Sequence, residues 1–331
     1  MSKVEDKVEG KIAVFCTGDK KYVPMMIASL GMTALKNPVE PWIITDADDQ
    51  ETKDLISKCN IGYIHHNLHE HFQTDEISKH WPSQSFWWSI GPETLLGLGY
   101  KYSIFIDADI YCNRMIDPRM FTDDLEIAAH QCKPENKPEQ YNSGVILFNN
   151  EKMLEKGLWS SFLNCYRGMS TSLFEKYHGG KVHDQQVLSA LKDTTKFSKF
   201  LGTPYSFDIQ DLNFLWNYRF EKIEGKNQDF IGREYAELTS QVYFFHFLNS
   251  QPWLPYEKWG SRNHGLFPTN EFPEGVINKK WKEEEPNLMT RVKCVEDWRD
   301  GVREIEKLKD VTLFDDFGSL EKYKEQINAN S

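Results

Sequence analysis

Two carboxylates separated by one residue follow a short run of apolar, strand-forming residues. The run is Ser103–Ile106, and Asp107 and Asp109 come directly after it. Side chains at positions i and i+2 of an extended chain point the same way. The two negative groups would repel each other unless a cation lay between them, and Mg²⁺ and Mn²⁺ prefer oxygen ligands. The pattern indicates either a divalent-metal site or a solvated turn.

Other residues leave the choice open. Asp46 and Asp48 repeat the same spacing after another apolar run, so the spacing alone identifies no site. His246 lies in an aromatic run, Gln241–Phe247, that is typical of a strand. A histidine there is either a buried core residue with satisfied hydrogen bonds or a metal ligand.

Alternating strand and helix patterns open the chain and would position these groups. They predict strands at Ile12–Thr17, Pro41–Asp46 and Ile61–His65. The helices between them are predicted at Tyr22–Leu35 and Glu51–Lys58. This β-α-β-α-β order favours a parallel sheet with right-handed crossovers. Ligands of open α/β sheets bind at the carboxyl ends of the strands, where Asp107 and Asp109 would lie.

The middle of the chain continues the α/β pattern. We expect a surface loop at Glu70–Ser85 and then a helix at Ser85–Leu98 that Pro92 kinks or restarts. A strand at Leu125–His130 and two further helices, at Glu151–Arg167 and Lys181–Leu191, would follow. A polar turn at Tyr141–Gly144 would lead into a strand at Val145–Phe148, and Gly144 would let backbone approach a ligand closely. Asp184, near a helix start, could simply favour the helix dipole.

The C-terminal part changes character. Apolar residues recur at steps of three and four from Leu288 to Leu308, which predicts an amphipathic helix. It would pack on the core or form a partner or homodimer interface. We therefore expect two regions, a catalytic or binding domain at 1–255 and a helical extension at 256–331.

Composition narrows the class of protein. The 331 residues carry a net charge of −11, which disfavours nucleic acid and anionic membranes as partners. Met1–Lys11 lacks the apolar core of a signal peptide, and no apolar run approaches the roughly 18 residues of a membrane span. The six cysteines form no Cys-x-x-Cys pair. Together these features predict a cytoplasmic location.

Five segments, in this order, resemble the retaining glycosyltransferases of family 8, the group of glycogenin and the lipopolysaccharide galactosyltransferases. The segments are Phe15–Tyr22, Phe105–Asp109, Tyr141–Asn149, His183–Leu188 and His246–Trp253. The resemblance implies an α/β GT-A fold, with a Rossmann-like, mostly parallel sheet flanked by helices and a helical C-terminal tail. It also implies transfer of a sugar from a nucleotide-sugar, with a UDP-sugar as the expected donor, to a hydroxyl of a glycan or protein.

The resemblance assigns site residues one by one. Asp107, Asp109 and His246 would bind one Mn²⁺ or Mg²⁺ that also binds the donor diphosphate. The other implied donor contacts are Cys16, Thr17 and Tyr22 around the base and ribose, Ala108 at the nucleotide, Asn142 and Ser143 at sugar hydroxyls, and Gln251 near the diphosphate. Asp184 would hold a sugar or acceptor hydroxyl, and Gln185 would lie near the anomeric carbon. These two are the candidate catalytic residues.

The chain departs from the family pattern at two places. Phe86–Gly99 has no basic residue where family members carry an Arg or Lys, and Gln251 replaces the lysine of a closing motif that is one residue shorter. A charge-assisted hydrogen bond is roughly twice as strong as a neutral one. This protein should therefore depend more on its metal, or use a cation such as Lys20, Lys21 or Arg219.

Two rival functions remain. A catalytically weak nucleotide-sugar-binding, glycan-binding or scaffold protein would keep the fold without the reaction. A nucleotidyltransferase would usually open with a glycine-rich phosphate loop, which Gly18 alone does not supply.

Overall fold

The structure is a computed structural model that describes residues 10–72, 83–132, 140–169, 184–193, 214–215, 243–247, 252–253, 295–315 and 317. Its strands are β1 Lys11–Gly18, β2 Glu40–Thr45, β3 Gly62–His65, β4 Tyr100–Ile106, β5 Ile110–Cys112, β6 Ile127–Cys132, β7 Gln140–Asn149, β8 Phe214–Leu215 and β9 Phe244–His246. Its helices are α1 Val23–Lys36, α2 Gln50–Lys58, α3 Gly91–Gly97, α4 Asn150–Glu155, α5 Leu158–Met169, α6 Asp184–Asp193 and α7, residues 295–309. Within this part of the chain, no helix is long and apolar enough to cross a membrane.

Six strands form the central sheet in the order β3-β2-β1-β4-β7-β6. The pairs β3-β2, β2-β1 and β1-β4 are parallel, whereas β7 is antiparallel to both of its neighbours. It follows that β6 runs in the same direction as β4, so five strands share one direction and β7 alone is reversed. The predicted mostly parallel α/β sheet is confirmed.

Side chains of β1 alternate between two hydrophobic clusters, one on each face of the sheet. Val14 and Cys16 contribute to the cluster that includes α1 and α7, and Ala13 and Phe15 to the cluster that includes α5 and α6. All four side chains are fully buried. Burial on both faces makes β1 a central strand, which explains its nearly continuous apolar sequence.

The opening β-α-β-α-β elements begin and end within one residue of the predicted bounds. Two predictions further along were wrong. Tyr141–Gly144 is part of strand β7, not a turn, because β6 and β4 pair with this strand from both sides. The predicted helix Glu151–Arg167 is divided into α4 and α5 at Gly157, whose φ of 62° is left-handed and ends α4.

The segment before β4 also differs in detail. A 3-10 helix, Ser83–Ser89, precedes α3, so the predicted helix restarts with Pro92 in its first turn. A short 3-10 helix, His69–His71, lies at the start of the expected surface loop, and most of the rest of that loop is outside the described residues.

A second, three-stranded sheet has the order β5-β9-β8. Strand β5 begins directly after Asp109 and pairs antiparallel with β9, so that Ile110 lies opposite His246. This small sheet places His246, the last residue of β9, near the carboxyl end of β4.

The C-terminal helix α7 packs against α1. Val295, Trp298, Val302 and Ile305 are buried in the same cluster as the inner face of α1. A Cβ at Gly31 would lie only 2.7 Å from Ile305 Cδ1, so the two helices approach closely at this glycine. The expected domain boundary at residue 255 falls outside the described residues.

A candidate metal centre at the carboxyl edge of the sheet

The acidic pair is held by backbone contacts to neighbouring elements. Asp107 directly follows β4, and its backbone N–H donates to the carbonyl of Gly144 on β7 at 2.8 Å. The N–H of Ile110 donates back to the Asp107 carbonyl at 3.2 Å, forming a turn. Ser29 Oγ on α1 donates to the Ala108 carbonyl at 2.7 Å. The turn that carries both carboxylates is therefore fixed by β7 and α1.

His246 reaches the same place through strand pairing. It lies opposite Ile110 in the β5-β9 ladder, and the N–H of the next residue, Phe247, donates to the Asp109 carbonyl at 3.0 Å. The ladder thus places position 246 beside position 109, although the two positions are 137 apart in sequence (246 − 109). The His246 side chain is 2% exposed.

The three side chains converge. His246 Nε2 is 3.1 Å from Asp109 Oδ1 and 3.5 Å from Asp107 Oδ2. One ligand atom from each residue lies within 4.8 Å of the others, the arrangement that a single bound cation requires. Two carboxylate oxygens and one imidazole nitrogen suit Mn²⁺ or Mg²⁺, and both ions readily take further oxygen ligands from phosphates. The residues present therefore fit a divalent metal.

The electrostatics of the site favour a cation. Burial raises the pKa of Asp107 to about 7; His246 opposes the rise, and Asp109 and Asp184 add to it. Burial alone would lower the pKa of His246, but the carboxylates of Asp109 and Asp107 outweigh it and the net shift is upward. Without a cation, protons compensate the crowded negative charge.

Asp184 and Ser143 lie at the same edge. Asp184 is the first residue of α6, and its side chain is 8% exposed. Burial raises its pKa to about 6, while a hydrogen bond from Ser143 favours the charged form. Its charge also raises the pKa of both Asp107 and His246, so it is electrostatically part of this site. Gln185 follows it in the first turn of the helix and is partly exposed.

The remaining predicted donor contacts are distributed around the ends of β1, β4 and β7. Cys16 is fully buried, and burial together with Asp107 and Asp109 raises the pKa of its thiol. Thr17 Oγ1 donates to the Gln84 carbonyl at 2.9 Å, and Asn142 Oδ1 accepts from the Gly144 N–H at 2.9 Å. Tyr22 ends a 3-10 turn and packs against the core. Gln251 and Arg219 lie outside the described residues.

The basic residues proposed as substitutes have other contacts. Lys20 Nζ is 3.0 Å from Asp49 Oδ1 and 3.8 Å from Glu51 Oε2. Lys21 Nζ lies 5.4 Å from the centre of the Tyr22 ring. In the described structure these contacts direct both lysines to partners other than the acidic pair.

The second Asp-x-Asp sequence has a different role. Asp46 Oδ2 accepts hydrogen bonds from Gln84 Nε2 at 2.9 Å and from His69 Nε2 at 2.8 Å, and Asp48 pairs with Lys53. Among the described residues, the only group of three side chains placed to hold a metal is Asp107, Asp109 and His246. Asp46 and Asp48 are therefore explained by hydrogen bonds and an ion pair.

Two features that position the metal centre, strand β5 and the hydrogen bond from Ser29, are not predicted by the sequence analysis. Strand β5 is only three residues long, although Ile110–Cys112 has the strand-forming composition that would have suggested it. The hydrogen bond from Ser29 has no sequence signal, because a serine inside a helix normally bonds to its own helix or to solvent.

The described architecture is a GT-A fold, as the comparison with solved structures shows. No protein-family model matches the sequence, and no curated protein matches it significantly. Solved structures do: the glycosyltransferase GlyE of Streptococcus pneumoniae TIGR4 superposes with a TM-score of 0.52 at 16% identity, covering 83% of this chain and 64% of GlyE. The galactosyltransferase LgtC, solved with donor and acceptor sugar analogues, superposes with a TM-score of 0.50 at 16% identity, covering 82% of this chain and 99% of LgtC.

Proposed function

We propose that this protein is a metal-dependent retaining glycosyltransferase of family 8. It would transfer a sugar from a nucleoside-diphosphate sugar, expected to be a UDP-sugar, to a hydroxyl of a glycan or protein. The observation that carries the proposal is the convergence of the Asp107 and Asp109 carboxylates with His246, which is distant from them in sequence, at the carboxyl edge of a GT-A sheet.

Charge balance explains why a metal would be essential. Among the residues that the structure describes, the charged groups that shift the pKa of Asp107 are His246, Asp109 and Asp184, with no lysine or arginine among them. A donor diphosphate would add further negative charge. A bound Mn²⁺ or Mg²⁺ would supply the Lewis acidity that neutralises the diphosphate leaving group. The two carboxylates and the imidazole would fix its position.

Asp184 and Gln185 would act on the transferred sugar. With a pKa of about 6, Asp184 is mostly ionised at neutral pH and can accept a hydrogen bond from a sugar or acceptor hydroxyl. Gln185 would lie near the anomeric carbon, where an amide is a poor nucleophile. We favour a front-face route, in which the leaving phosphate oxygen takes the acceptor proton. A lasting glycosyl adduct on Asp184 would contradict that route.

A thermal-shift panel of nucleotide-sugars with and without Mn²⁺ tests the proposal. We expect a donor to raise the melting temperature only when Mn²⁺ is present, and His246→Ala to abolish that shift. A control is His66→Ala, because His66 is a partly buried histidine that hydrogen-bonds to Thr94 at 3.2 Å instead of facing the acidic pair. Tight metal-free binding of the donor would contradict the proposal.

A second candidate is a nucleotide-sugar-binding or scaffold protein without efficient catalysis. The lack of a basic residue in Phe86–Gly99 favours it, because that helical segment contributes no cation to the diphosphate. Donor hydrolysis separates the two functions. Mn²⁺-dependent release of the nucleoside diphosphate that Asp184→Asn eliminates would support the enzyme, and donor binding without any turnover would support the binding protein.

A further inference from the structure

Gly144 lies against the imidazole of His246. A Cβ built at position 144 would be 2.3 Å from His246 Cε1 and 2.5 Å from its Nδ1, and 2.9 Å from Asn142 Oδ1. Nonbonded carbon atoms prefer separations of about 3.5 to 4.0 Å. Any side chain here would therefore push the ring by about 1 Å or more, roughly half of a coordination distance of about 2 Å at the proposed metal centre.

Backbone conformation does not explain why position 144 is a glycine. Among the described glycines, those with positive φ are Gly10, Gly99 and Gly157, so Gly144 has a backbone conformation open to other residues. It lies inside strand β7, where glycine normally weakens the strand. Gly144 also lies at a register shift between β6 and β7, where Ala129 pairs with Ile146 and His130 with Asn142. At this irregularity the imidazole of His246 makes the closest approach to position 144, which is a physical reason for a residue without a side chain.

Neither side of this contact can easily move away. The Gly144 carbonyl accepts from the Asp107 N–H at 2.8 Å, and its own N–H donates to Asn142 Oδ1 at 2.9 Å. On the other side, His246 is held by the β5-β9 ladder and is 1% exposed. The imidazole thus lies between β7 and the two carboxylates, with Nε2 directed at Asp109 and Nδ1 on the side of Gly144.

We propose that Gly144 is a positioning residue of the metal centre: its missing side chain provides the space that holds the His246 imidazole at coordination distance from Asp107 and Asp109. From the sequence alone, Gly144 is expected to let backbone approach a ligand closely. The structure assigns that space to His246 instead. The effect on metal affinity rests on the proposed metal-dependent function, whereas the steric contact does not.

A double-mutant cycle in EDTA tests the contact without any metal or donor. We expect Gly144→Ala to lower the melting temperature by about 3 to 8 °C, as for an overpacked core. In the His246→Ala background the same substitution should cost much less, because the methyl group enters the space left by the imidazole and only the contact with Asn142 Oδ1 remains. Gly97→Ala is the control, since a Cβ there would have no neighbour within 4 Å.

Mn²⁺ affinity, measured by titration calorimetry, tests the consequence for the site. Gly144→Ala should weaken Mn²⁺ binding about 10- to 100-fold, the range seen when residues that orient metal ligands are replaced. Gly97→Ala should leave it unchanged. Wild-type affinity in Gly144→Ala would overturn the positioning role.

The double-mutant cycle in EDTA can also contradict the proposal. An equal loss of melting temperature in both backgrounds would show that the added methyl group clashes with something other than His246. If Gly144→Ala does not fold, the double variant with His246→Ala should fold, and failure of both would also overturn the proposal. If the wild type does not bind Mn²⁺, the proposed function fails, and the cycle in EDTA alone decides whether Gly144 positions His246.

Discussion

At the scale of single residues, the surroundings of Asp107 disfavour the ionised form of its carboxyl group. Its side chain is 38% exposed, yet burial of the remainder and the nearby Asp109 and Asp184 raise its pKa to about 7. A carboxylate in an unfolded chain has a pKa of about 4. Folding therefore favours the protonated form, and stability is lost as the pH rises from about 4 to 7. A residue that weakens the fold at neutral pH is a candidate for function.

Asp107→Asn should consequently change stability and metal binding in opposite directions. In EDTA at pH 8 the variant should melt at a higher temperature than the wild type, because it carries no charge at this position. The difference should shrink as the pH is lowered towards about 4, where the wild-type carboxyl is protonated in the folded state. Addition of Mn²⁺ should stabilise the wild type and not the variant.

Thermal melts across this pH range, with and without Mn²⁺, measure both effects. Asp123→Asn is a suitable control, because Lys101 and Tyr102 lower the pKa of this exposed carboxyl. Its removal should lower stability at neutral pH, the opposite sign. A less stable Asp107→Asn in EDTA at pH 8 would show that the charge is not disfavoured.

At the scale of secondary-structure elements, the metal centre depends on how α1 holds the turn after β4. Ser29 is fully buried in α1 and donates to the Ala108 carbonyl, between the two carboxylates, at 2.7 Å. Ser29→Ala would leave that partly buried carbonyl without this donor, at a cost of about 1 to 3 kcal/mol. The turn would also lose its anchor to α1, and we expect Mn²⁺ affinity to fall about 10-fold.

Ser89→Ala provides the matched comparison for this prediction. Ser89 is also buried and donates to the Phe86 carbonyl at 2.8 Å, but it lies in the 3-10 helix before α3. Urea denaturation should show a similar loss of free energy of unfolding in both variants. Calorimetry should show weaker Mn²⁺ binding only in Ser29→Ala. Equal affinities in the two variants would mean that α1 does not position the site.

How far the sequence predicts the fold depends on whether the signal is local. β1 and α1 were placed within one residue because the apolar pattern of each element is complete in its own sequence. The polar residues and glycine of Tyr141–Gly144 favour a turn, whereas the pairing that makes this segment part of a strand comes from the distant strand β6. Strand β5 was missed because three residues give too short a pattern.

The site was predicted in composition but not in geometry. The resemblance supplied Asp107, Asp109 and His246, and the structure brings these three together. The ladder that aligns Ile110 with His246 is a pairing between distant segments, and it has no local sequence pattern. The space at Gly144 depends on three-dimensional contact as well, so it was visible only in the structure.

At the scale of the whole molecule, α7 joins the C-terminal part of the chain to the central sheet. Trp298 is fully buried and contacts Trp253, Phe314 and Phe317. In the next position, Arg299 is also fully buried, and its Nε donates to the Pro252 carbonyl at 3.1 Å. Pro252 and Trp253 belong to the segment that follows His246. We expect α7 to unfold together with the sheet rather than separately.

Trp298→Ala tests this coupling. Removing a buried tryptophan from the shared core costs about 3 to 5 kcal/mol, so the midpoint of the main urea transition should fall substantially. Leu308→Ala on the same helix should stay within about 0.5 kcal/mol of the wild type, since Leu308 is 58% exposed. Far-UV circular dichroism is the appropriate probe, because the substitution itself alters tryptophan fluorescence.

Trp298→Phe separates packing from hydrogen bonding in the same experiment. The indole Nε1 of Trp298 is buried and has no hydrogen-bond partner in the described structure, so phenylalanine removes a polar atom that is costly to bury while keeping an aromatic ring. We expect it to cost much less than alanine. If Trp298→Ala left the main transition in place and produced a separate early one, α7 would be an independent unit and not part of the cooperative core.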